Sequence, residues 1–116
     1  MTKKAICITI PKTVSWETYK KELAKVEDES QIMNFKIPTY PKEVSAGDRC
    51  YIVHNGYIKG WMKIFNIVKR DSFECTTTGK NWNDGIYIQR TGKFHPLETE
   101  VPMKGFKGYK YIDEID

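Results

Sequence analysis

Apolar and polar positions change their period along this chain, and each change marks a different kind of element. Ala5-Ile6-Cys7-Ile8-Thr9-Ile10 is a short apolar run rich in β-branched side chains and closed by Pro11. It predicts a strand buried on both faces and central in its sheet. From Trp16 to Asp28 the residues Trp16, Tyr19, Leu23 and Val26 fall at alternating intervals of three and four, forming the apolar stripe of a helix that opens on Ser15 as its N-cap. On its polar side Glu17 and Lys21 have the favourable i,i+4 spacing, worth about 0.3 kcal/mol. After Gln31 the period falls to two. Ile32 to Ile37 predicts a second strand, ended by Pro38.

Ala46-Gly47-Asp48 reads as a tight turn into Arg49–His54, and Asn55-Gly56 then predicts a hairpin, because both central residues of a type I′ turn need positive φ. The returning strand, Tyr57 to Val68, sets Ile58, Gly60, Met62, Ile64 and Val68 on one face and Tyr57, Lys59, Trp61, Lys63 and Phe65 on the other. Gly60 inside it predicts a bulge or sharp bend of the kind that closes small barrels. Ser72–Thr76 reads as a short strand, residues 77–85 as a polar loop around Trp82, and Ile86–Arg90 as a strand. Thr91-Gly92-Lys93 then turns into Phe94-His95-Pro96-Leu97, and a final stretch, Val101–Ile112, is punctuated by Gly105 and Gly108. The order is strand, helix, then many strands. It predicts an α+β fold, a small mixed β-barrel with one main N-terminal helix, as one domain over residues 1–116.

Composition narrows the function classes. A hydrophobic share of 40% with 29% charged residues is globular, and 13% aromatic residues leaves rings for a binding surface. The net charge of +4 is compatible with a polyanionic partner without requiring one. No run approaches the ~18 apolar residues of a membrane span, so a cytoplasmic protein without a membrane partner is expected. Cys7, Cys50 and Cys75 are odd in number and far apart, which argues for reduced thiols rather than a disulfide framework. His54 and His95 have no second ligand at a metal-binding interval, and no glycine-rich phosphate loop is present. No metal or cofactor is expected.

Gly47–Gly56, followed by Ile58-Lys59-Gly60-Trp61-Met62-Lys63-Ile64, resembles the central hairpin of the PUA-like superfamily, whose EVE and ASCH branches carry a Gly-Asp, strand, turn, Gly, strand pattern. Gly105-Phe106-Lys107-Gly108-Tyr109-Lys110-Tyr111 resembles the closing strand of small bacterial members. The resemblance implies a pseudo-barrel that binds RNA or DNA, in some branches taking a flipped, often modified base into an aromatic pocket. It also implies that Asn34, Phe35 and Lys36, ahead of the hairpin, contribute pocket or backbone contacts. The Trp-rich opening of EVE domains is absent from Ala5–Ile10. The Lys/Thr pair that precedes the Gly-Asp turn in catalytic ASCH amidohydrolases is absent too.

A base-reading site needs a ring to stack on, an amide to read an edge and cations for phosphates. Asn81-Trp82 supplies ring and amide beside Lys80, with Arg90 and Lys93 as cations, and the bland alternative is a Trp that plugs the barrel end. Trp61 between Lys59 and Lys63 is a second candidate, or else a core-edge ring with solvated lysines. Lys69, Arg70, Lys104, Lys107 and Lys110 would track phosphates or serve solubility. Tyr109 and Tyr111 belong to the core or to a pocket wall. His95, before Pro96, is placed to reach a ligand, and His54 reads as a hairpin-end residue. The reading is a nucleic-acid or nucleobase binding module. Its rivals are a small ASCH-type hydrolase of modified nucleosides, which predicts a buried Lys or Glu of perturbed pKa in the cleft, and a protein-interaction module whose partners the sequence does not name. Cys50 or Cys75 with His95 and a carboxylate would be a separate nucleophilic set, for which no local signature is present.

Overall fold

The computed structural model describes residues 3–28, 32–70, 73–74, 81–82 and 85–115. It is mostly β with one helix, a curled half-barrel sheet of six strands. In chain order the elements are β1 (Lys4–Thr9), α1 (Trp16–Asp28), β2 (Met33–Ile37), β3 (Arg49–His54), β4 (Tyr57–Arg70), β5 (Phe73–Glu74), β6 (Asn81–Trp82), β7 (Gly85–Pro102) and β8 (Tyr109–Asp113). The large sheet runs β2-β7-β4-β3-β1-β8, and β5 and β6 form a two-stranded ribbon.

β1 lies between β3, its parallel partner, and antiparallel β8. A parallel pair needs a crossover of a dozen residues or more, and α1 lies within it. Ala5, Ile6, Cys7 and Ile8 are all fully buried, as a strand covered on both faces requires. α1 begins where Ser15 accepts the Thr18 amide at 3.1 Å and donates to the Thr18 hydroxyl at 2.8 Å. Removing that cap, Ser15→Ala, is expected to cost about 1 kcal/mol in an equilibrium denaturation curve. Tyr19, Leu23 and Val26 are buried, whereas the ion pair on the far side joins Lys20 to Glu17 at 3.4 Å rather than the expected Lys21. An exposed pair adds little stability in either register.

Asn55 (φ 51°) and Gly56 (φ 85°) make the hairpin turn between β3 and β4. The Gly47-Asp48 turn is pinned to β4: Gly47 donates to the Ile64 carbonyl at 2.8 Å and Ile64 donates back to the Asp48 carbonyl at 2.8 Å. Beyond the hairpin the expectation and the fold part company. The expected turn at Thr91-Gly92-Lys93 is instead an irregularity inside one 18-residue strand, because β7 stays paired with β4 on both sides of it. The registers are Lys63 with Thr91 and Trp61 with His95, so β7 has extra residues between them and the ladder is irregular there, with Gly92 at φ 83°. A second shift between Ile58 and Gly60 bends the pair again, as a glycine inside the strand predicts.

The concave face holds two apolar clusters, one around Ile6, Ile8, Cys50, Ile64 and Ile88, the other under α1 around Ile52, Met62, Leu23 and Val26. On the opposite face, Cys7, Tyr51, Val53 and Ile58 are covered by side chains from Leu97, Val101, Met103, Phe106 and Ile115. The segment leaving β2 packs against β8. The Tyr109 hydroxyl meets Thr39 Oγ1 at 3.0 Å, and the Glu43 amide donates to the Tyr111 hydroxyl at 3.4 Å. Both tyrosine rings are therefore half-buried against the core, where they meet edge to face.

Candidate nucleic-acid interface

Strand pleating sorts the candidate residues between two faces. On β2, Met33, Phe35 and Ile37 point inward while Asn34 and Lys36 are exposed. Pairing carries the pattern across the sheet. Asn34 stands beside Gln89 of β7 and Gln89 beside Asn66 of β4, with Gln89 Nε2 donating to Asn34 Oδ1 at 3.2 Å. Farther along the same outer face come Lys63 and Trp61 of β4 and His95 of β7. The fold thus brings Asn34, Lys36, Trp61 and His95 to one surface.

Two candidates face the other way. Phe35 packs against the core cluster, so its ring is not on the surface. Arg90 is 2% exposed and donates through Nη1 to the Tyr19 hydroxyl at 3.0 Å, beneath α1. Even numbering on an alternating strand puts it with Ile88 on the concave side. The side chains of Asn81, Trp82 and Arg70, together with Cys75 and Lys80, fall outside the described residues.

Trp61 is the centre of the outer cluster. From β7 the His95 ring stacks on it, with centroids 4.0 Å apart and planes 15° off parallel, and from β3 the Arg49 guanidinium carbon lies 4.1 Å from its centroid. Arg49 is held there. It donates to the Tyr51 hydroxyl at 3.1 Å and the Ile115 carbonyl at 3.2 Å, and its Nε lies 3.6 Å from Glu114. Lys59, expected to flank Trp61, turns away: its ammonium pairs with Glu100 at 3.0 Å and lies 5.7 Å from the Trp16 ring. The strand irregularity beside Gly60 reorients it. Lys63 stays exposed, and Phe65, on the same strand face, is 50% exposed.

Electrostatics mark His95 apart. Burial holds its pKa below the usual 6.5, and the charges of Lys93, Arg49 and Lys63 push it the same way. At neutral pH it is a flat uncharged ring surrounded by cations. His54 is different in kind, buried with Nε2 at 2.7 Å from the Val14 carbonyl and its ring beside Trp16. Burial pushes the Cys50 thiol up to about 11, so at neutral pH it is protonated and a poor nucleophile. Lys69, Lys104 and Lys107 are exposed, and the Lys110 ammonium lies 4.8 Å from the Phe106 ring.

No local sequence signal marks Arg49 or Phe65 as a site residue. Arg49 reads as an ordinary strand-opening residue until pairing sets it diagonally across from Trp61. Comparison with protein-family models, characterised proteins and solved structures gave no match to this chain. Among the described residues, no group of three or more His, Cys, Asp or Glu is arranged to hold a metal ion, and no helix is long and apolar enough to cross a membrane.

Proposed function

We propose that the chain binds RNA or DNA, or a nucleobase-like ligand, on the outer face of β2, β7 and β4. The observation that carries this reading is the Trp61–His95 stack with Arg49, Lys63 and Lys93 around it. Trp61 already has a ring and a guanidinium laid on it, so an incoming base extends the stack from His95. Lys63, Lys93 and Lys36 meet phosphates, and Asn34 and Asn66 offer amides to a base edge. An open sheet face with rings suits unpaired bases, whose π-faces are free, better than a duplex. The likeness of Gly47–Ile64 to the PUA-like hairpin supports a nucleic-acid ligand, and recognition of a modified base is the sharpest form of the proposal.

The test is a Trp-fluorescence titration with short single- and double-stranded RNA and DNA, plain and base-modified, at two salt concentrations. Saturable quenching that weakens with salt is expected, and His95→Ala should lower affinity about 10- to 100-fold, the worth of roughly one stacked base. Flat titrations at low salt would sink the proposal. The pH dependence has a definite sign. A bound phosphate raises the pKa of His95, so binding takes up a proton and strengthens as pH falls from 8 through the region below 6.5. His95→Gln should bind with a flat pH profile over that range.

A further inference from the structure

The concave side carries a cation that the proposed surface does not use. Arg90 is buried to 2% exposure, between Met33 of β2 and Ile64 of β4 in the sheet and below Tyr19 of α1. A guanidinium stays charged at any pH a protein tolerates, and a charge is buried at tolerable cost only with a counter-charge and a full set of hydrogen bonds. Arg90 has neither. No carboxylate among the described residues forms an ion pair with it. Its Nε is the one fully buried side-chain nitrogen or oxygen among those residues with no hydrogen-bond partner.

The surroundings are built of donors. Tyr19 accepts the Arg90 Nη1 hydrogen at 3.0 Å, which leaves the phenol its own hydrogen to give. The Cys50 thiol, whose titration Arg90 influences, keeps its proton and directs it to the Tyr51 carbonyl at 4.0 Å, so it offers no negative charge. Nε belongs to the edge of the guanidinium that grips two oxygens of a carboxylate or phosphate side by side. What this group of side chains lacks is an acceptor carrying negative charge.

We propose that Arg90 and Tyr19 form an interior receptor for a small oxyanion, of the phosphate or carboxylate kind, held between α1 and β7. The anion accepts from the Nε edge of Arg90 and neutralises the buried guanidinium, while Tyr19, hydrogen-bonded at Nη1, holds that edge in place. Because Nε has no contact with solvent, α1 must give way around Tyr19 to admit it, so the occupant is small and its binding is coupled to the seating of the helix. This site is independent of the outer face.

Thermal unfolding of the whole chain tests it, at constant ionic strength, in chloride and with graded inorganic phosphate, acetate or adenosine monophosphate. Phosphate or acetate should raise Tm along a saturable, logarithmic curve, by about 5–10 °C at roughly a hundred times Kd. A response to the nucleotide at lower concentration than to phosphate would identify the anion as part of a nucleotide, whereas a response to phosphate or acetate alone would identify a free ion. Arg90→Met should lose the response and, with no charge left to bury, melt no lower than the wild type in chloride. Should that variant fail to fold, the wild-type Arg90 Nε–H resonance decides, since direct contact shifts it as phosphate is added. A Tm that follows ionic strength equally for all salts, or a response that survives in Arg90→Met, or an Nε–H resonance that phosphate leaves in place, overturns the proposal.

Discussion

Gly60→Ala is expected to destabilise the protein by about 3 kcal/mol or more, a large part of the 5–15 kcal/mol typical of a domain. A Cβ built at Gly60 would overlap the His95 carbonyl oxygen, lie 2.5 Å from Phe94 Cζ and 2.8 Å from Pro96 Cα. The Phe94 ring can turn aside, but the His95 oxygen and the Pro96 Cα are backbone and belong to the strand paired with Gly60. The change must therefore pry β4 from β7 at Gly60 and disturb the Trp61–His95 pair next to it. Gly92→Ala is the matching control. A Cβ there meets nothing within 4 Å, but φ is 83°, so only backbone strain of about 1–2 kcal/mol is expected. Urea denaturation of both variants separates the causes, and equal midpoints would mean that crowding at Gly60 is relieved by an easy shift of β7.

Alkaline pH should produce the second large effect. Burial pushes the Cys7 thiol from 9.0 up to about 12 and the Cys50 thiol from 9.0 up to about 11. As pH rises past 9 the unfolded chain releases these protons while the folded chain retains them. Their contribution is therefore complete below pH 9 and is lost as pH climbs through 9 to 12, on the order of 3 kcal/mol for each thiol. Tyr19, raised by burial above its ordinary 10.0, acts in the same direction. The denaturation midpoint should fall steeply between pH 9 and 11, and replacing both residues, Cys7→Ala with Cys50→Val, should flatten that fall. A wild-type midpoint unchanged from pH 8 to 11 would refute it.

Local signals in the sequence were reliable where one residue decides a conformation. Ser15 caps α1, Asn55-Gly56 turns the hairpin and Gly60 sits at a strand irregularity, each because few other residues suit that backbone. What failed depended on register. Thr91-Gly92-Lys93 has the composition of a turn, and only the length of β4 opposite it keeps β7 continuous. The same register decides the site. Trp61 and His95 are 34 positions apart in sequence and are made neighbours by one cross-strand pairing, which no spacing rule reveals. Lys59 lost its place beside Trp61 through an irregularity whose existence Gly60 announces but whose rotation it does not. Phe35 alternates in phase with Met33 and Ile37, and Arg90 in phase with Ile88, so the pleat that turns both inward is present in the strand pattern itself.

The position of β1 carries a consequence for the order in which the molecule assembles. Its neighbours are β3 and β8, so Lys4 pairs with Asp113 and the Glu114 amide donates to the Lys3 carbonyl at 2.9 Å. During synthesis β1 leaves the ribosome ahead of β8 and cannot complete its ladder until about a hundred further residues have followed. Until then one side of Ala5–Thr9 offers unpaired amides and carbonyls on an apolar strand, the kind of edge that recruits other chains. The nascent sheet is therefore most exposed to aggregation just before residues 109–113 emerge.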